Sequence, residues 1–408
     1  MAAKRSAHLL APPGSQTRIV RIVAKPLSRV APYIPDDFIF EILVRLPAKS
    51  ATRFRCVCKA WLAMISSQRF VVAHLELSKF RPTMLIVPGE YSYRAERGCK
   101  IAFWMRFFKF DGGIMAGLIH SEQFPSGIAQ WSQPLHCDGL ILTFTRDDEI
   151  MVCNPLTREF FLLPKGSSSY HKRHRVGFGF DPCTNKYKVL RFFYQREHGS
   201  FETICRSEVL TLGTNIWRRT IDPPYPIHGV SPVHVQGFIY WRVDLPLKVD
   251  PKVLVRFSLA NETFSLIPYP PCEARPVSFV EREGELYCAC FRKPCELVEI
   301  WTCDTTDVPT WTRRWTVSLP HEIVTPIPGG FFKCPKVAFH GNYLFIIGDH
   351  KLYQYSIGTG EMKKVTRAIE DLWYYHSDRN KYQPFLGKDV AFETVNYVES
   401  LVQIGEYS

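Results

Sequence analysis

The 408-residue sequence contains no C-x-x-C pair, no run of 18 apolar residues and, before Asp36, no acidic residue. The first absence removes the ladder of Cys/His pairs that a RING-type ligase or a zinc ribbon needs. Thirteen cysteines are present all the same, an odd number scattered along the chain, which reads as free thiols in a reducing compartment. Cys56-x-Cys58 and Cys288-x-Cys290 have the alternation of core-facing side chains rather than the spacing of metal ligands. The second absence leaves no membrane-spanning helix to expect. A compact apolar core of a secretion signal is also missing, so no glycosylation is expected at Asn261-Glu262-Thr263. G-x-x-x-x-G-K, H-E-x-x-H and G-x-S-x-G do not occur, and the glycines of Gly177-Phe178-Gly179 lack the third glycine and the helix of a dinucleotide site. No catalytic residue, metal or cofactor is expected.

The third absence explains the net charge of +12. Half of it comes from Lys4, Arg5, Arg18, Arg21, Lys25 and Arg29, which face no acid, while the rest of the chain is nearly balanced. Residues 1–32 therefore read as a disordered basic tail, with an organelle transit peptide or a nuclear signal as alternatives. The body is too weakly basic to imply a nucleic-acid partner, and no membrane partner is implied either. A hydrophobic content of 46% with 22% charged residues is ordinary for a globular protein. Phe 29, Tyr 18, Trp 9 and Pro 30 are plentiful, and together they favour short strands joined by many turns.

Helical periodicity is confined to residues 34–74. Asp36 and Asp37 follow Pro35 and open an apolar stripe of Phe38, Ile39, Ile42, Leu43 and Leu46, which Pro47 ends. Further helices are expected over residues 49–54 and 55–65, with Ser67 capping a last turn that carries Phe70, Val71 and His74. So few short helices bury little core of their own and call for a partner.

From Lys79 onward the pattern becomes one of short β-rich runs around glycine turns, recurring about every 40 to 50 residues, the period of a four-stranded propeller blade. Five internal units are visible, among them those built on Cys137-Asp138-Gly139-Leu140, Val235-Gln236-Gly237-Phe238 and His340-Gly341-Asn342-Tyr343. A sixth is expected to combine residues 83–87 and 101–110 with the C-terminal residues 395–402, because pairing the chain ends would remove exposed strand edges. Residues 99–131 are hard to place in this scheme. The tryptophans read as core, and Gly177 and Gly179 as points of close packing on an inner strand.

Ile34-Pro35-Asp36-Asp37, Leu46-Pro47-Ala48-Lys49-Ser50 and Phe54-Arg55-Cys56-Val57-Cys58-Lys59-Ala60-Trp61 resemble an F-box of the plant type. Asn154-Pro155-x-Thr157-Arg158, Gly177-Phe178-Gly179-Phe180-Asp181, Gly237-x-x-Tyr240-Trp241 and Tyr397-x-Glu399-Ser400-Leu401 resemble the F-box-associated, kelch-like propeller that follows it in plant F-box proteins. The resemblance implies an α+β multidomain chain: a small three-helix F-box over residues 33–78, then an all-β propeller of about six blades over residues 79–408. It also implies a substrate-recognition subunit of an SCF-type cullin–RING ubiquitin ligase. Its F-box would dock on a Skp-type adaptor, and through it on cullin, by Ile34, Pro35, Phe38, Leu43, Leu46, Pro47, Val57 and Trp61. The propeller would hold a protein substrate, with Tyr170, His171, Lys172, Arg173 and His174 as a candidate basic loop for acidic or phosphorylated groups; a solvated loop is the bland reading of the same residues. No covalent chemistry is expected, only proximity. A non-degradative scaffold or inhibitor, and a propeller enzyme with a helical cap, are the alternative readings. A cytoplasmic or nuclear location is expected, and truncating Leu46 and Trp61 is expected to leave the propeller undisturbed.

Overall fold

The computed structural model describes residues 34–88, 103–110, 116–124, 134–145, 149–170, 175–196, 203–227, 232–243, 251–273, 276–292, 297–304, 309–320, 326–327, 331–332, 336–348, 351–365, 373–376, 381–384 and 392–404. Four helices come first: α1 (Asp36–Leu43), α2 (Ala48–Phe54), α3 (Lys59–Ile65) and α4 (Gln68–Lys79). Pro35 and Pro47 occupy the N-cap positions of α1 and α2 in extended conformation, so each proline sets the entry of a helix. The third helix is shorter than its sequence pattern. Residues 55–57 form a turn, and Cys58, in β conformation, caps α3 by accepting the Trp61 N–H on Sγ at 3.4 Å. Cys56 and Cys58 are consequently exposed rather than core-facing. Ser67 caps α4 through Phe70 N at 3.3 Å, and what was expected to be a last turn is the longest helix of the four. Phe70, Val71, His74 and Leu75 form its buried row. His74 is held at both ring nitrogens, by Leu46 O at 2.9 Å and Ser78 Oγ at 3.3 Å, and burial lowers its pKa.

The strands of the first sheet are β1 (Thr83–Pro88), β2 (Phe103–Phe110) and β3 (Gly117–Phe124). The second sheet holds β4 (Leu135–Cys137), β5 (Leu140–Phe144), β6 (Ile150–Asn154) and β7 (Glu159–Leu162). The third holds β8 (Arg175–Asp181), β9 (Lys186–Arg196), β10 (Thr203–Thr211) and β11 (Arg218–Arg219). The fourth holds β12 (Val233–Val235), β13 (Phe238–Arg242), β14 (Val253–Ser258) and β15 (Phe264–Pro268). The fifth holds β16 (Pro276–Arg282), β17 (Glu285–Arg292), β18 (Leu297–Asp304) and β19 (Thr310–Ser318). Beyond the small pair β20 (Pro326–Ile327) and β21 (Phe331–Phe332), the sixth holds β22 (Lys336–His340), β23 (Tyr343–Gly348), β24 (Lys351–Ser356) and β25 (Met362–Lys364). A second small pair, β26 (Trp373–His376) and β27 (Lys381–Pro384), precedes β28 (Phe392–Tyr397).

β28 returns to the first sheet and pairs antiparallel with β1, Thr83 opposite Tyr397 and Pro88 opposite Phe392, giving the order β28-β1-β2-β3. All six blades are therefore four-stranded; β2 falls within residues 101–110, where the closing blade was expected to have a strand, and β3 comes from the stretch that the repeat pattern could not place. The innermost strands β4, β8, β12, β16, β22 and β28 contact one another in that cyclic order, so the ring is closed. Gly177 and Gly179 on β8 are needed for the close packing of this ring. A Cβ at Gly177 would stand 2.2 Å from the Trp241 ring, and one at Gly179 2.3 Å from the His234 ring.

Because neighbouring strands run antiparallel, the hairpins between first and second and between third and fourth strands share one face. The second-to-third turns and the connections between blades share the other. The helices sit on the hairpin face: Lys79 Nζ, at the end of α4, lies 3.5 Å from Asp138 Oδ1 in the β4–β5 hairpin. Residues 398–404 cross the same face over the second blade. There the buried Asn154 amide donates to Ser400 O at 3.1 Å and Val402 O at 2.8 Å, while its Oδ1 accepts Leu156 N. Leu401, Val402 and Ile404 belong to a single hydrophobic cluster with Leu43, Val44, Ala51, Ile65, Phe70 and Leu75 of the helices and Leu140, Leu142 and Val152 of the second blade. The helical cap and the propeller share one core.

Candidate interaction surfaces

The first helix divides its apolar residues between two directions. Ile34, Phe38 and Ile42, spaced four apart, are 54%, 65% and 58% exposed, whereas Leu43 and Val44 are buried. Pro35 and Pro47 are exposed as well, and Val57 in the turn after α2 and Leu62 on α3 add further uncovered apolar side chains. Solvated globular surfaces scatter such residues singly; these five, at α1, in the turn after α2 and on α3, make a candidate contact surface, and Val72, Leu77 and Phe80 at α4 are exposed as well.

The eight residues expected to meet an adaptor fall into three groups. Ile34, Pro35, Phe38, Pro47 and Val57 are open to solvent. Leu46 and Trp61 are half-buried and packed against the shared core, with the Trp61 ring edge-on to Phe54 at 5.6 Å. Leu43, only 2% exposed, is a correction: it points into the chain's own core and has nothing to offer a docking protein. Ile42 and Leu62, both exposed, were not among the residues expected on this surface. The register of Ile42 with Phe38 was the available signal, but whether residue 42 or 43 faces outward is decided by tertiary packing.

Of the basic loop, His171, Lys172, Arg173 and His174 lie outside the described residues, while Tyr170 is described. It belongs to the connection between β7 and β8, and hence to the face opposite the helices. Tyr170 is 59% exposed; its hydroxyl accepts Arg196 Nη2 at 3.2 Å, and the Arg196 guanidinium lies 4.8 Å from its ring centre. Arg175 stacks in the same way on Tyr194, at 4.7 Å. Cations held over aromatic rings are pre-oriented, which lowers the entropy lost when they meet an acidic group. Among the described residues no group of three His, Cys, Asp or Glu side chains is arranged to hold a metal ion.

Two protein families match the chain: the F-box domain over residues 33–72 and the F-box associated beta propeller domain over residues 119–327. Similar proteins of Arabidopsis thaliana include an F-box/LRR-repeat protein, 28% identical over 79% of this chain and 76% of its own. An F-box/kelch-repeat protein is 26% identical over 84% and 82%, and a putative F-box protein 29% identical over 71% and 74%. Among solved structures, an oligogalacturonate lyase in complex with manganese aligns with a TM-score of 0.40 and 11% identity over 67% of this chain and 76% of that one. That likeness is too distant to bear on chemistry. The propeller match alone spans half of the sequence, and with a helical cap at one end and a closed six-bladed ring at the other, this chain belongs to the F-box proteins that carry an F-box associated β-propeller domain.

Proposed function

We propose that this chain is the substrate-receptor subunit of an SCF-type cullin–RING ubiquitin ligase, acting in the cytoplasm or the nucleus. The observation that carries the reading is the outward row Ile34, Phe38 and Ile42 with Val57, left uncovered on helices whose other side is fused to the propeller core. A Skp-type adaptor takes that row, and cullin follows through the adaptor. The protein substrate takes the opposite face of the ring, where Tyr170, Arg175 and Arg196 stand and where Tyr170 and Arg175 flank residues 171–174 in sequence. The contribution is positional: a substrate lysine is held near a charged conjugating enzyme at high effective concentration.

The test is adaptor affinity, measured by titration with the purified full chain. Exposed interface anchors typically cost about 2 kcal/mol or more when truncated, and about 1.4 kcal/mol is tenfold in affinity. Phe38→Asp with Val57→Asp should weaken adaptor binding by at least roughly a hundredfold. Both side chains are exposed, so the melting temperature should hold. Undiminished adaptor binding by this folded variant would refute the docking surface.

A further inference from the structure

Three thiols meet where the fourth blade hands over to the fifth. Cys288 and Cys290 alternate along β17 and so share one of its faces, and both are buried. Cys272 comes from the connection between β15 and β16 and is half-buried. Its Sγ lies 2.7 Å from Cys290 Sγ, and Cys290 Sγ lies 3.9 Å from Cys288 Sγ. Cys303 on β18 and the Trp301 ring belong to the same hydrophobic cluster, with Cys272 packed against it. None of these cysteines is in a disulfide. A disulfide places its sulfurs about 2.05 Å apart, so under about 1 Å of further approach separates the Cys272–Cys290 pair from a covalent bond.

We propose that Cys272 and Cys290 form an oxidation-sensitive dithiol, with a hydroperoxide as the oxidant, that closes to a disulfide between the blade connection and β17. Cys272 is the half of the pair that solvent reaches, so it reacts first. Its thiolate attacks one peroxide oxygen; the S–O bond forms, the O–O bond breaks, and the departing oxygen leaves as water or an alcohol after taking a proton. Cys290 sulfur then attacks the resulting sulfenic sulfur. The S–S bond forms, the S–O bond breaks, and hydroxide leaves with the Cys290 proton as water. With hydrogen peroxide, two thiols and one peroxide become one disulfide and two waters. The connection that is tied down lies between blades, on the face opposite the helices, so oxidation stiffens that face and leaves the helical cap untouched. A thiol reductant reverses the change.

The experiment uses the full chain, purified under reductant, desalted, and treated with hydrogen peroxide at equimolar ratio before alkylation and non-reducing peptide mapping. The expected product is a monomer in which the peptide carrying Cys272 is linked to the peptide carrying Cys288 and Cys290, and dithiothreitol releases it. Cys288→Ser should keep the link; Cys290→Ser and Cys272→Ser should each abolish it. Cys272→Ser changes a half-buried position in a connection, so it stays informative should Cys290→Ser fail to fold. Recovery of Cys272 as sulfinic or sulfonic acid beside an alkylated Cys290 would overturn the proposal. So would a link that survives in Cys290→Ser, which would make Cys288 the partner.

Discussion

His136 and His234 occupy equivalent places on the inner strands β4 and β12, and each ring accepts the N–H of the glycine three residues on. Gly139 N lies 2.8 Å from His136 Nε2, and Gly237 N lies 3.1 Å from His234 Nε2. Glu281 does the same for Gly284 N at 2.8 Å, so in each of these three blades one side chain closes a hairpin whose two central residues both have positive φ. His136 Nε2 also accepts Val398 N, at 3.3 Å, which ties the C-terminal segment to the second blade. Both bonds need an unprotonated ring nitrogen. Burial, aided by the nearby His234, lowers the His136 pKa to about 3. The sign follows from linkage: the unfolded chain binds a proton below about pH 6.5 that the folded chain refuses until about pH 3. This stabilisation is complete above pH 6.5 and is lost as the pH falls towards 3, by about 1.4 kcal/mol per pH unit for this one group. Gln keeps an acceptor but does not titrate. Urea unfolding of His136→Gln should therefore lose about 2 kcal/mol less than wild type between pH 6.5 and pH 5. Parallel stability profiles for the two proteins would show that His136 is not the acid-sensitive group.

At the scale of single elements, β28 does the most for the fold, because β1 has no other inner neighbour and the segment after it fills the shared core. A chain ending at residue 391 loses the six pairings of β28 with β1, the partners of Asn154, and Leu401, Val402 and Ile404 together. It should aggregate or be proteolysed at the open edge of β1; a soluble monomer melting at the full-length temperature would disprove closure by β28. Asn154→Ala is the milder probe, removing one side chain that serves two carbonyls and two amides, and should cost about 3 kcal/mol in urea unfolding. Closure was legible because the C-terminal run had strand character and no partner nearby. The inner hairpins were legible for a related reason: Gly139, Gly237 and Gly284 stand in left-handed conformation where a two-residue turn demands it. β2 was legible too, within residues 101–110, but β3 was not, and a register shift between Phe107 and Phe108 interrupts the pairing of the two strands. The start of α3 escaped notice because a cysteine cap is no sequence signal, and the fate of Leu43 because neighbours on one broad stripe differ only in what they pack against.

For the whole molecule, the consequence of the shared core is that the helices and the ring pack as one unit. Sequence alone suggested two separable parts, with Trp61 as a freely presented anchor. In the fold, Trp61 and Leu46 lean on the cluster that also holds Leu401, Val402 and the second blade, and Arg81 at the start of the propeller reaches Arg45 O at 3.5 Å. Under the proposed function, a rigid mount of this kind would fix the distance between adaptor and substrate, as a receptor working by proximity requires. It also predicts a distinct pattern of mutational effects. Trp61→Ala removes part of a large ring from a common core and should cost about 2 kcal/mol. The loss should appear as a single melting transition several degrees lower, with faster amide exchange both in α4 and in residues 398–404. Phe38→Ala removes an exposed ring and should leave the melting curve and the exchange pattern in place while weakening adaptor binding. Two separate transitions, with Trp61→Ala moving only the lower one and exchange rising only in α1–α3, would mean that cap and ring are coupled by the chain alone. The position of the adaptor relative to the substrate face would then be free to vary.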